Sequence, residues 1–552
     1  MRKILSMCLV ALLALSFCVP AMAEASVYPL CENLGDVTLK VMVVAHPAIA
    51  DWDTNDSTKW MEEQTNVKIE WLTVPYEGRA EAVQMALAGG EYPDVFMFPY
   101  GNCINQDILN RYGVNEKRLA VVDDLVKDFM PNLQKAYEDN PGYQGLMTML
   151  DGHMYSLPTV NQCYHCTIAT KMWINQQWLD NLGLAMPTTT DEFYDVLVAF
   201  RDNDPNGNGV QDEIPLAGAY INGWNTNSDL FIMNSFNYYT AWLSADGEPK
   251  SALGLYLDGD TVKVPFAEEG FKEGLKFMNK LVTEGLFYDG SFTMDQQALT
   301  NLVESPDAEM VGCVAGGYGG QFCNMEGERY EHYVALMPLT GPTGLQQIPV
   351  NNYDLGLSGA LISDASPNKE IAAKWIDLLY TWEGSMITTF GLEDVAWRKA
   401  TEGEVGLDDS PALFSMVKPW QEVEPQSDHW VQATVTYRNS AFRLGEAYDT
   451  SIPLYSGAGL EKLLYNVSRD MMQYADPAKY MPPVKFSTED ADAMSVPIVE
   501  LSGVIKESLP QFMTGNLSID DDFQSFLDNL NAAGLPALLE KYQAAYDAQF
   551  KK

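Results

Sequence analysis

Three short runs of β-branched and apolar residues near the start of the chain are separated by helical patterns, and this alternation constrains the fold most. Val37 to Val44 (VTLKVMVV) reads as a strand, Val67 to Val74 (VKIEWLTV) as a second, and Val95-Phe96-Met97-Phe98 as a third. Between them, Ser57 to Gln64 carries Trp60 and Met61 at helical spacing. Arg79 to Leu87 is an amphipathic helix stopped by Gly89-Gly90. A β-α-β-α-β series predicts a mostly parallel sheet covered by helices. The texture changes after the turn Asp151 to Pro158. Residues 167–175 read as strand, Trp178 to Leu182 as a short helix closed by Gly183, and Thr189 with Glu192 as a capping box opening a helix to Phe200. Later helical stretches run over 268–284 and 369–380, and Leu535, Leu538, Tyr542 and Tyr546 recur at helical spacing in the tail. With no long linker in 552 residues, the expectation is two lobes with several crossings between them. Lobe one is expected over 36–158 with about 330–390, and lobe two over 159–329 with about 391–552.

The first residues read as a targeting segment. Arg2 and Lys3 precede the apolar run Ile4 to Val19, which is short for a membrane span, and Ala21-Met22-Ala23 is a small-residue cleavage site. A signal peptide over 1–23 predicts export. Cys18 offers a lipid-anchor alternative, but the bulky Phe17 before it favours cleavage after Ala23. Six cysteines then remain, an even count that fits three disulfides in an exported chain. Cys313 and Cys323, joined by a short Gly-rich loop, are the favoured pair. Cys163-Tyr164-His165-Cys166 is read as structural: the residues after it look like strand, whereas a redox motif should open a helix.

Charge excludes some functions. The chain has 34 Lys and Arg against 76 Asp and Glu, a net charge of −42. No basic footprint for nucleic acid is present, and an anionic membrane surface should repel the folded body. There is no H-E-x-x-H, G-x-S-x-G or phosphate-loop motif. Carboxylate pairs for glycoside hydrolysis arise by chance among so many acids, and read as solvated surface.

The sharpest motif is a loop. Asp204, Asn206 and Asn208 stand at positions 1, 3 and 5, Gly209 at 6, Val210 at 7, Asp212 at 9 and Glu213 at 10. Alternating oxygen side chains converge when such a loop curls, Gly permits the sharp turn, and the Val210 carbonyl supplies another oxygen, a set suited to calcium. The closing Glu departs from the EF-hand spacing of 12. A polar turn is the plainer reading of Asp-Pro-Asn-Gly. Aromatic residues set among polar or Gly neighbours are candidates for covering sugar faces: Trp52, Trp224, Tyr318, Trp397 and Trp430.

Five blocks in order resemble the extracellular solute-binding proteins of carbohydrate ABC importers, of the large type that includes alginate-binding and LipO-like proteins. They are Gly90-Glu91-Tyr92-Pro93-Asp94-Val95; Trp173 to Leu184 with Pro187 to Phe193; Asp204 to Gly209 through Asp212-Glu213-Ile214-Pro215; Tyr380 to Gly384 with Phe390 to Val395; and Phe512 to Gly515 with Ser518-Ile519-Asp520 and Gln543 to Asp547. The resemblance implies a two-lobe α/β periplasmic-binding-protein fold of the type II, Venus-flytrap kind, with a hinge and a cleft between lobes. It implies capture of an oligosaccharide for an ABC permease, no enzymatic step, an extracellular or periplasmic location and a monomer. It also places a structural calcium ion in the Asp204 loop, and cleft residues after Gly391-Leu392, which makes Glu393 a hydroxyl acceptor beside Trp397. Few cations favour a neutral or amino sugar over a uronate, with Arg398 and Lys399 leaving the acidic option open. A secreted glycoside-active enzyme and a binder of peptide or another non-sugar solute are the alternatives.

Overall fold

The computed structural model describes residues 28–551 except 91, 100–102, 245–247, 352–354 and 419–424. The expected leader 1–23, with Cys18, lies outside them. Two sheets organise the chain. The first has six strands in the order Tyr437–Arg438, Leu157–Asn161, Leu355–Ile362, Val95–Met97, Val37–Val44 and Val67–Val74. The last three are mutually parallel, as their βαβ connections require, with Val37 opposite Val67 through to Val44 opposite Val74. Leu355–Ile362 runs antiparallel between Val95–Met97 and Leu157–Asn161. Successive residues feed opposite faces: Val95 and Met97 belong to one core, Phe96 and Phe98 to another.

The second sheet has four strands, ordered Tyr333–Leu336, Met172–Asn175, Val311–Ala315 and Ile214–Ala217. Its core takes in Trp173, Trp178, Phe193 and Phe200, and the apolar face of the tail helices. In the helix Thr488–Thr514, Leu501, Ile505, Leu509 and Phe512 recur at helical spacing and are fully buried. The capping box at Thr189 and Glu192 is present. Among the described residues no helix is long and apolar enough to cross a membrane.

The chain passes between the sheets over 162–171, after Leu336 and after Arg438, so among the described residues three crossings join the two lobes. Two details correct the expected lobe boundaries. Tyr333–Leu336 pairs antiparallel with Met172–Asn175 and so belongs to the second lobe. Trp430, Val431, Ala433 and Val435 return to the core of the first, where Tyr437–Arg438 adds an edge strand. The first crossing also differs from expectation. Tyr164–Thr167 is a helical turn, the strand begins only at Met172, and the turn brings the Cα atoms of Cys163 and Cys166 to 5.3 Å, where they are disulfide-bonded. Cys313 and Cys323 are buried free thiols, not the expected pair, and Cys31 and Cys103 are free as well, so the described residues hold one disulfide and not the expected three.

Candidate functional site

A cavity of about 920 Å³ lies between the lobes. The first lobe lines it with Ile104, Asn105, Gln106, Asp107 and Leu146, and the second with Trp224, Asn225, Tyr238, Trp242 and Lys250. Cys166 from the first crossing, Asn351 from the second, and the segment Lys479 to Phe486 complete the wall. A volume of several hundred cubic ångströms lined by aromatics and a few polar groups suits a small organic ligand.

Trp224 is held by its backbone. Its N–H donates to Gln321 Oε1 at 2.7 Å, and its carbonyl accepts from Gly317 N–H at 2.9 Å. A Cβ on Gly317 would lie 2.1 Å from the indole, so glycine is required where the ring passes. The Trp224 ring sits 6.3 Å from that of Tyr318 and 6.0 Å from that of His165. Trp242 donates its indole N–H to Asn227 Oδ1 at 2.9 Å. Behind Trp224, Tyr164 and Arg443 both donate to Glu461 Oε2, at 2.8 and 3.1 Å. Burial lowers His165 to about 3, so its imidazole is neutral at physiological pH. Glu461 is pushed up by burial, but the Arg443 guanidinium and the Tyr164 hydroxyl help to outweigh that and hold it below the usual carboxylate range.

The expected ligand residues divide sharply. Trp224 lines the cavity and the half-buried Tyr318 stands beside it. Trp52 and Trp430 are core residues of the first lobe, packed with Trp71 at ring distances of 4.7 and 5.3 Å. Trp397 is 2% exposed and sits with Met386, Ala396, Phe414 and Phe442 in a small satellite core, its indole N–H bonded to the Gly391 carbonyl at 2.9 Å. None of these three rings offers a face to a ligand here. Glu393 forms an exposed pair with Lys399 at 3.3 Å. The sequence reading missed Tyr238, Trp242, Tyr164, Arg443 and Glu461. The available signal was scarcity: in so acidic a chain, a cation inside an apolar segment such as Ser440–Leu444 has a specific partner.

In the Asp204 loop, Asp204 accepts from the backbone N–H groups of Asn208 and Gly209 at 3.0 and 2.9 Å, and Asp212 accepts from the side-chain amides of Asn206 and Asn208 at 3.1 Å. Both carboxylate oxygens of Glu213 are buried without a hydrogen-bond partner among the described residues. Burial, then Asp212 and Asp204, push its carboxyl up. A cation would offset the burial and both like-charge repulsions, so the residues fit a calcium ion, with Asp204, Asn206, Asn208, the Val210 carbonyl, Asp212 and Glu213 to hold it. Those carboxylates do not themselves converge as a trio. Among the described residues only Cys163, His165 and Cys166 bring three metal-type ligand atoms together, and two of those are disulfide-bonded.

Comparison with known proteins completes the assignment. The fructooligosaccharide ABC transporter substrate-binding protein FusA of Streptococcus pneumoniae serotype 4 is 31% identical over 374 residues, 65% of this chain and 63% of FusA, so the match spans under two thirds of that relative. The polygalacturonan/rhamnogalacturonan-binding protein YtcQ of Bacillus subtilis is 21% identical over 88% of this chain and 87% of its own. An extracellular solute-binding protein from Bifidobacterium longum subsp. infantis shares the fold at TM-score 0.79 and 23% identity, over 93% of this chain and 99% of that one. FusA in complex with kestose shares it at TM-score 0.71 and 23% identity, again over 93% and 99%. Residues 45–386 match the bacterial extracellular solute-binding protein family. With its two lobes, three crossings and interlobe cavity, the chain belongs to that family.

Proposed function

We propose that the protein captures an oligosaccharide outside the cytoplasmic membrane and delivers it to an ABC permease, without covalent chemistry. One observation carries the reading: the aromatic-lined cavity between two lobes that three chain crossings leave free to hinge. Trp224, Tyr238 and Trp242 supply flat apolar surface for sugar C–H faces, and amides such as Asn105, Gln106 and Asn225 supply hydroxyl partners. The ligand settles on one lobe, and contacts with the other stabilise the closed form that the permease recognises. The relative FusA, a fructooligosaccharide ABC transporter substrate-binding protein, supports a saccharide as the ligand class. A leader over 1–23 and a monomer fit the same role.

Calcium belongs to this reading as a structural ion in the Asp204 loop, away from the cavity. The unpartnered Glu213 carboxylate supports it, as do the EF-hand of FusA and the calcium ion of alginate-binding AlgQ2, two proteins that share this fold. The test is a thermal-shift screen of oligosaccharides and short peptides with calcium present. A ligand at about 100 times its dissociation constant adds roughly 2.7 kcal/mol. A shift with saccharide and none with peptide is expected. A shift with peptide alone sinks the reading, and appearance of shortened sugars on incubation would make the protein an enzyme.

A further inference from the structure

The turn closed by Cys163 and Cys166 meets all three crossings. Asn351, from the second, donates its backbone N–H to the Thr167 carbonyl at 2.9 Å. From the third, Ser440 donates its N–H to Gln162 Oε1 at 2.7 Å. Arg443 Nη2 lies 3.7 Å from the Cys163 sulfur, 3.3 Å from His165 Nε2 and 3.1 Å from Glu461 Oε2. Within the turn, the His165 ring stands 6.0 Å from that of Trp224, and its Nδ1 lies 3.9 Å from the Cys166 sulfur. The bridged turn therefore braces the hinge and backs an aromatic residue of the cleft.

The two bonded cysteines stand in different surroundings. Cys166 is part of the cavity wall, whereas Cys163 is set back from it with its sulfur beside Arg443. In thiol exchange a thiolate attacks the sulfur it can reach, and the other sulfur leaves with the electron pair. Attack from the cavity on Cys166 expels Cys163 Sγ next to a guanidinium, which stabilises the departing negative charge. With a small dithiol as reductant, the S–S bond breaks and a mixed disulfide forms on Cys166. The reagent's second thiolate then closes onto its own first sulfur and frees Cys166. The protein gains two electrons, the dithiol loses two as it becomes a cyclic disulfide, and its two protons pass to the freed thiols or to water. Reduction opens the turn and sets a Cys163 thiolate in competition with Glu461 for Arg443. An oligosaccharide in the cavity covers Cys166.

Resting on the capture reading above, we propose that Cys163–Cys166 is a thiol-exchange site on the cleft wall, reduced by small dithiols when the cavity is empty and shielded when it is filled, and that its reduction weakens oligosaccharide capture. The full chain is incubated with dithiothreitol, alkylated with iodoacetamide while folded, and mapped by mass spectrometry. The incubation is run with and without whichever of kestose, maltotriose, mannotriose and xylotriose binds most tightly by calorimetry. Saturating sugar should slow labelling of Cys163 and Cys166 about tenfold or more. The reduced protein, shown to be folded by its melting temperature, should bind that sugar about tenfold more weakly, since the coupling is reciprocal. Arg443→Gln should slow reduction several-fold although it loosens the hinge, and Arg443→Lys should restore most of the rate. A bridge reduced only through unfolding would instead react faster in Arg443→Gln. That result, a rate indifferent to sugar, or equal affinity in the two redox states overturns the inference and leaves the capture reading standing. Failure of every sugar to bind overturns both.

Discussion

Glu213→Gln should reverse its effect on stability when calcium is added. Without the ion, Asp204 and Asp212 are tied down by loop amides, whereas both Glu213 oxygens are buried with no donor and lie near those two like charges. Leaving a buried polar group unsatisfied costs about 1–3 kcal/mol, more when it is charged. Removing the charge should therefore stabilise the calcium-free protein by about 1 kcal/mol. With calcium the sign changes, because Glu213 is then a ligand. At free calcium about 100 times the dissociation constant, the wild type gains roughly 2.7 kcal/mol and the variant only a fraction of it. At about 1–2 °C per kcal/mol for a cooperative unit of about 300 residues or more, the wild-type shift is about 3–5 °C. Differential scanning fluorimetry in chelator and in calcium reads all four states. Equal calcium shifts in wild type and variant, or a variant destabilised in chelator, would refute the reasoning.

Trp397→Ala should destabilise the protein by about 3–5 kcal/mol through the cavity it leaves, with sugar affinity of the folded protein unchanged; a selective loss of affinity would return Trp397 to the cleft. Asp229 is fully buried, its carboxyl raised to about 6 by burial against hydrogen bonds from Tyr220 and Tyr239. The folded state then holds more protons than the unfolded one between about pH 4 and 6, so this group's contribution to stability falls as pH rises through that window. Urea melts across it should show a shallower fall for Asp229→Asn, and identical slopes would count against the assignment. Replacing Cys163 and Cys166 by Ser should cost about 2 kcal/mol, the loop-entropy value for so short a clip, and reductant should then have no further effect on the variant's melting temperature.

Local signals in the sequence were legible and distant ones were not. Val37–Val44 and Val67–Val74 occupy the expected residues because strand alternation is written in neighbours. The Thr189 capping box and the left-handed Gly183 after Leu182 are equally local. Trp397 misled because its polar neighbours Glu393 and Arg398 lie along the chain, while Phe414 and Phe442, which bury it, come from elsewhere. Trp52 and Trp430 are hundreds of residues apart and meet only in the folded lobe. The Cys163–Cys166 bond was obscured because the residues after Cys166 have strand composition, whereas a helical turn over Tyr164–Thr167 and an irregular stretch, held by buried Lys171 donating to the carbonyls of His165 and Ile168, precede the strand at Met172. The ligand wall from Tyr238 to Lys250 carried no pattern, because a cavity is assembled from surfaces and not from a spacing.

The most direct test of the account is calorimetric titration of wild type and Trp224→Ala with the oligosaccharide that gives the largest thermal shift. Saturable one-to-one binding by the wild type is predicted, weakened about tenfold or more in the variant while its sugar-free melting temperature shows a folded protein. Binding of equal strength in both proteins, or none by the wild type to any oligosaccharide, would contradict it.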